Sequence, residues 1–138
     1  MVKKDKPSML EDYFEKQEDA FKNYGEHALV FMQNGTFYES YQTDNLGHNL
    51  HPISELLNFM ITRKGSKEKP LSITNPWMLG IPVVTWQKHL KTLVDAGYTI
   101  VEYEETTPAP FPKRELKAVH SPATYTDEIS SPESSFLC

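Results

Sequence analysis

Residues 31–41, FMQNGTFYESY, constrain the fold more than any other stretch. Two short runs of aromatic, apolar and β-favouring residues flank one glycine. Leu29, Val30, Phe31 and Met32 lead in, and Thr36, Phe37, Tyr38, Glu39, Ser40 and Tyr41 lead out. Gly35 punctuates them, so the stretch reads as strand, tight turn, strand. Side chains alternate between the two faces of a strand. Phe37 and Glu39 therefore share one face, and Tyr38 and Ser40 the other. On the plain reading of such a hairpin, Phe37 is buried and Glu39 is solvated. The alternative is an exposed aromatic beside a carboxylate near a turn, which is unusual surface chemistry.

The rest of the chain supplies helices to cover a sheet. Ser8 followed by Glu11 makes a capping-box pattern, and Met9, Leu10, Tyr13, Phe14, Phe21 and Tyr24 recur mostly at helical spacing. Gly25 ends that amphipathic helix. Residues 43–52 are polar. His48 and His51 there lack an evident third ligand, so the stretch reads as a loop rather than a metal site. Pro52 starts a short helix with Ile53, Leu56 and Leu57 on its buried side. Residues 59–62 form a short β-like run, and a basic loop follows. Residues 71–79 suggest an edge strand interrupted by Pro76, and Gly80-Ile81-Pro82 suggests a turn. Trp86, Leu90, Leu93 and Val94 mark an amphipathic helix that Gly97 ends. Residues 98–104 then read as a strand, with Tyr98, Ile100 and Glu102 on one face and Thr99, Val101 and Tyr103 on the other. A stiff proline-rich loop leads to a last short strand at 116–120. Strands and helices alternate around an opening hairpin, which predicts a mixed β-sheet with helices packed on it, an α+β fold. We expect a flexible leader at 1–7, a folded domain at 8–128 and a disordered tail or linker at 129–138.

Composition narrows the function. At 138 residues the chain suits one domain with a real core. No apolar run approaches the roughly 20 residues a membrane-spanning helix needs, and the basic N-terminus lacks the apolar segment of a secretory signal. Cys138 is the single cysteine, so no disulfide framework or cysteine-based zinc site can form within the chain. These features predict an intracellular protein that is not secreted and not bound to membrane. The net charge of −5 argues against an independent, non-specific DNA binder. Between positions 61 and 91, however, Arg63, Lys64, Lys67, Lys69, Lys88 and Lys91 stand against Glu68 alone. They form either a basic face or ordinary solvated surface.

Several of these segments, in order, match one family. NGTFYESY resembles the G-x-F-Y-E motif in the N-terminal, mismatch-recognition domain of MutS proteins. Ile61-Thr62-Arg63-Lys64-Gly65 is similar to that family's L-T-K-R-G segment, and Met78-Leu79-Gly80-Ile81-Pro82 to its M-A-G-I-P segment. Lys88-His89-Leu90, Leu93-Val94 and Gly97-Tyr98 resemble its Y-L, L-V and G-Y helix exit. Tyr103-Glu104-Glu105-Thr106 stands where the family has C-E-Q. The run from Arg114 to Val119, with Ser121 to Thr124, resembles the close of the domain. The Met32-Gln33-x-Gly35 approach is closer to the MutS subfamily of giant viruses and coral mitochondria than to bacterial MutS. Thr36 replaces the usual Asp, Glu105 replaces Gln, and Ala123 replaces a Gly.

The resemblance implies a mismatched-DNA-binding domain for DNA mismatch repair. It makes Phe37 an aromatic wedge, Glu39 a hydrogen-bonding contact to a displaced base, and Gly35 the turn that lets both project. A ring entering the minor groove unstacks a base step, at a cost of a few kcal/mol that is least where pairing is already faulty. Discrimination then rests mainly on deformability. Protonated, Glu39 would donate to a purine N7; ionised, it would accept from a base N–H. Arg63, Lys64 and Lys67 become candidate phosphate contacts, and Met32 and Gln33 candidates to flank the wedge. The implied partners are double-stranded DNA with mismatches or small loops, and the remaining MutS domains or a MutS-like dimer partner. No cofactor is expected in this chain. ATP and Mg belong to full-length family members, and no G-x-x-x-x-G-K-S/T phosphate loop occurs here.

Two rivals compete with this reading. Glu115-Leu116-Lys117 is an E-x-K triplet of the kind seen in metal-dependent nucleases, with Glu102, Glu104 and Asp95 as acidic neighbours in sequence. The other rival is a protein-interaction module that keeps the fold without reading DNA.

Overall fold

The computed structural model describes residues 8–107 and 113–122. The leader at 1–7, the proline-rich segment 108–112 and the tail, with Ala123, lie outside the described residues. Ser8 opens the first helix, α1 (Met9–Tyr24), as the capping box predicts. Its hydroxyl accepts the Glu11 N–H at 3.1 Å, and the Glu11 carboxylate accepts the Ser8 N–H at 2.9 Å. Gly25, at φ 96°, stops the helix. The first two strands, β1 (Ala28–Asn34) and β2 (Phe37–Gln42), form the expected hairpin.

A short helix, α2 (His51–Leu57), and a two-residue strand, β3 (Thr62–Arg63), follow. Strand β4 (Trp77–Pro82) leads through a 3₁₀ turn (Val83–Thr85) into α3 (Trp86–Asp95). Strands β5 (Thr99–Glu105) and β6 (Arg114–His120) complete a six-stranded sheet in the order β3-β4-β2-β1-β5-β6. Only the β1–β5 pairing is parallel among the described strands. With helices on both faces, this is the mixed α+β architecture read from the sequence.

Strand β1 is apolar from Ala28 to Met32 because both of its faces are covered there. Ala28, Val30 and Met32 pack beneath α1 with Tyr13 and Phe14. Leu29 and Phe31 face the other way, into a core with Ile53 and Leu57 of α2 and Trp86, Leu90 and Leu93 of α3. Polar side chains fasten α1 to β1. The Tyr13 hydroxyl donates to the Val30 carbonyl at 2.8 Å. The buried Gln17 amide donates to the Ala28 carbonyl and accepts the Val30 N–H, each at 2.9 Å. Such satisfied buried groups fix the angle at which the helix crosses the strand.

Four local expectations change. Leu56 is exposed, because α2 buries only its Ile53–Leu57 side. In the run at 59–62, only Thr62 enters the sheet, together with Arg63. Strand β4 lies between β3 and β2, so it is interior rather than an edge. Gly80-Ile81-Pro82 continues that strand instead of turning. Gly80 pairs with Glu39 and Pro82 ends the strand opposite Phe37, where a missing N–H is least costly.

Candidate nucleic-acid interface

The turn joining β1 to β2 contains two residues, Gly35 and Thr36. Gly35 has φ 67°, and among the described non-glycine residues only Asn58 has a positive φ. A positive φ at the first central position alone is the pattern of a type II′ turn, which suits the twist of a hairpin and favours glycine there. The Thr36 carbonyl accepts the Val83 N–H at 2.8 Å, tying the turn to the end of β4.

The alternation predicted for β2 holds. Tyr38 turns into the α3-side core and stacks on Trp86, with ring centroids 4.2 Å apart. Phe37 and Glu39 lie on the opposite face; a Cβ placed on Gly80 would be 3.4 Å from the Phe37 ring and 3.8 Å from Glu39 Cγ. Gly80 thus leaves an open floor on which both side chains rest. The burial is the reverse of the plain hairpin reading: Phe37 is 41 % exposed and Glu39 only 8 %. Around Phe37 is an open cleft of about 470 Å³ shared with Gln33, Gly35, Thr36 and the segment 82–84. Val84, 91 % exposed, extends the apolar rim.

Three donors hold Glu39, all at Oε1. Lys64 Nζ lies at 3.1 Å, Asn34 Nδ2 at 3.3 Å, and the Tyr41 hydroxyl donates a short bond. Burial, and then the Glu39 charge, push the Tyr41 phenol above the ordinary tyrosine range, so it stays a donor. Asn34 is held in turn by Arg114, whose Nη2 lies 3.3 Å from Asn34 Oδ1 and 3.2 Å from Glu105 Oε2, while its Nε donates to the Gln33 carbonyl at 2.6 Å.

The remaining sequence candidates divide. Gln33 braces the hairpin: its amide accepts the Glu105 N–H at 2.9 Å and donates to the Gly35 carbonyl at 3.1 Å. Met32 is fully buried beneath α1 and reaches no surface, because it shares the covered face of β1. Arg63 is tied to the β3–β4 loop. Its guanidinium donates to the carbonyls of Lys69 at 2.6 Å and Asn75 at 3.3 Å and lies over Trp77, which pairs with Gln42 at the end of β2 away from Phe37. Lys67 is exposed on that loop, which the buried Asn75 amide organises through Gly65, Ser66 and Pro70.

Sequence reasoning missed Asn34, Tyr41, Gly80 and Arg114. Strand alternation could have found Tyr41, two residues beyond Glu39 on the same face. The other three reach the site through pairings that only the folded sheet creates.

Residues 12–129 match the family model for MutS domain I. The chain belongs to the MutS family. A relative from Acanthamoeba polyphaga mimivirus, named a DNA mismatch repair protein mutS homolog, is 37 % identical over 91 % of this chain and 11 % of its own length. DNA mismatch repair proteins MutS from Thermosipho melanesiensis and Fervidobacterium nodosum are 29 % and 30 % identical, over 88 % and 86 % of this chain and 14 % and 13 % of their own lengths. The chain therefore spans about one tenth to one seventh of the curated relatives it matches. The mimivirus relative accords with the giant-virus character of the approach to the hairpin. MutS domain I is the mismatch-recognition domain of DNA mismatch repair proteins. Among the described residues, no helix is long and apolar enough to cross a membrane.

Of the carboxylates of the nuclease reading, Asp95 pairs with Lys91 at 2.9 Å and Glu115 is exposed on β6. Glu102 is taken up by Tyr38 and His120, and Lys117 lies 3.8 Å from Glu102 and 3.7 Å from Glu104. Among the described residues, no three His, Cys, Asp or Glu side chains are placed to hold a metal.

Proposed function

We propose that this MutS domain I binds duplex DNA at mispaired or unpaired bases, with Phe37 as the inserted wedge and Glu39 as the contact to the displaced base. The reading rests on one observation: the aromatic ring stands in solvent at a braced turn while the carboxylate beside it is buried and held. A solvated aromatic at a rigid tip costs the fold apolar burial. A buried carboxylate costs desolvation unless it is paired. Stacking on a base and bonding to that base would use both features, and neither use depends on sequence.

Within a longer MutS protein, the other domains and a MutS-like dimer partner would supply further affinity, and ATP with Mg would act there. The setting would be the intracellular site of DNA maintenance. The test compares binding of the 138-residue chain to a duplex with one G·T mismatch and to its matched twin at low salt. Phe37→Ala is expected to lower the mismatch preference about tenfold, the size of one lost base stack. Equal, weak binding of both duplexes by wild type and variant would instead favour the interaction module.

A further inference from the structure

We propose that Lys64 is the positioning residue that makes Glu39 usable next to DNA, rather than a phosphate contact; this rests on the base-contact reading of Glu39. The geometry of the carboxylate carries the argument. Lys64, Asn34 and Tyr41 all converge on Oε1, whereas Oε2 accepts a hydrogen bond from none of the described residues. One oxygen is therefore the anchor, and the other is left for a ligand. A base N–H can be accepted at Oε2 without breaking any bond at Oε1.

Lys64 is the charged member of the anchor. It follows β3, and its N–H bonds to the Pro76 carbonyl at 2.9 Å, which places its stem beside β4. Its ammonium sits 3.1 Å from Oε1 and 5.6 Å from the centre of the Tyr41 ring. The ring face and the carboxylate attract the ammonium together, and it is only a quarter exposed, so salt and water screen the pair less than a surface pair.

A lone carboxylate brought among phosphates is repelled. A carboxylate closed on an ammonium presents no net charge and still keeps an acceptor. The pair thus removes the repulsion that would otherwise make Glu39 an obstacle to every duplex. It also holds the side chain at one angle to the Phe37 ring. A lysine that left Glu39 to grip a phosphate would undo both effects.

A double-mutant cycle on the 138-residue chain tests this, using anisotropy with the G·T duplex and its matched twin. Lys64→Met in the presence of Glu39 is expected to lower the mismatch-over-matched preference about fivefold. In the Glu39→Gln background the same change is expected to leave the preference unaltered. Lys64→Arg is expected to restore most of it, and thermal melts of each variant report whether the domain remains folded. An equal weakening of both duplexes by Lys64→Met, with or without Glu39, would overturn the proposal and make Lys64 a phosphate contact. A Glu39→Gln variant with undiminished preference would instead overturn the base-contact reading itself.

Discussion

Glu39 and Glu102 are both buried carboxylates on interior strands of one sheet, and their surroundings differ in a way that separates two uses of such a group. Glu102, 1 % exposed, lies on the α3 side with both oxygens occupied. His120 Nε2 is 2.9 Å from Oε1, and the Tyr38 hydroxyl donates to Oε2 at 2.7 Å with Lys117 beyond it at 3.8 Å. That network ties β2 to β5 and to the last residue of β6. Glu39 lies on the α1 side with its donors gathered on one oxygen. Filling both oxygens makes a cross-brace; filling one makes a held group with an acceptor to spare. Tyr38 and Glu39 are neighbours in sequence, so a single strand serves the brace with one face and the interface with the other.

Removing each carboxylate and measuring stability separates the two uses. Glu102→Ala leaves the buried Tyr38 hydroxyl without its acceptor and abandons His120, at an expected cost of about 2–3 kcal/mol in urea unfolding. Lys117 is half exposed and adds little to that cost. Glu39→Gln keeps an oxygen for Lys64 and Tyr41, and is expected to stay within about 1 kcal/mol of wild type. Equal losses would mean that both carboxylates are braces, and the distinction drawn from their oxygens would fail.

A smaller effect sharpens the interface side. Tyr41→Phe removes one donor from Glu39 Oε1 and keeps the ring that packs at 4.9 Å against Tyr13. Stability is expected to fall by about 1 kcal/mol. Mismatch preference is expected to fall about two- to threefold, less than for Lys64→Met, because Lys64 and Asn34 still hold the oxygen. A preference lower than that of Lys64→Met would move the anchor from the ammonium to the phenol.

What could be read in the chain, and what could not, follows the same division. The capping box at Ser8 and Glu11, the turn at Gly35 and the period of α3 are local, and each is found where its residues predict. The sharing of a face by Phe37 and Glu39 is local too, since the strand period is two residues. Their burial was not legible. Hydrophobicity alone places a Phe inside and a Glu outside, and the reversal depends on Lys64 and Tyr41 meeting at one oxygen. Arg63 and Lys64 are adjacent in sequence, yet one serves loop carbonyls and the other a carboxylate. Nothing in a run of basic residues distinguishes them, because the loop held by Asn75 decides which way each one points. The resemblance made Met32 a candidate to flank the wedge; α1, folded back over β1, buries it.

Gly80 carries the last and smallest test. Its glycine reads locally as punctuation, but in the sheet it is the floor between Phe37 and Glu39. Its φ is not in the left-handed region, and a methyl there would sit at ordinary contact distance from the Phe37 ring and Glu39 Cγ. Gly80→Ala is therefore expected to stabilise the domain by about 0.5 kcal/mol, chiefly by restricting the unfolded chain. The methyl also limits how far the Phe37 ring can tilt toward the carboxylate. If the wedge needs that freedom, mismatch preference falls while stability rises, and a thermal melt read beside the binding assay separates the two. Unchanged binding in a stabilised domain would show that the ring works from the orientation it already has. Glycine at this position would then be required neither for strand geometry nor for recognition.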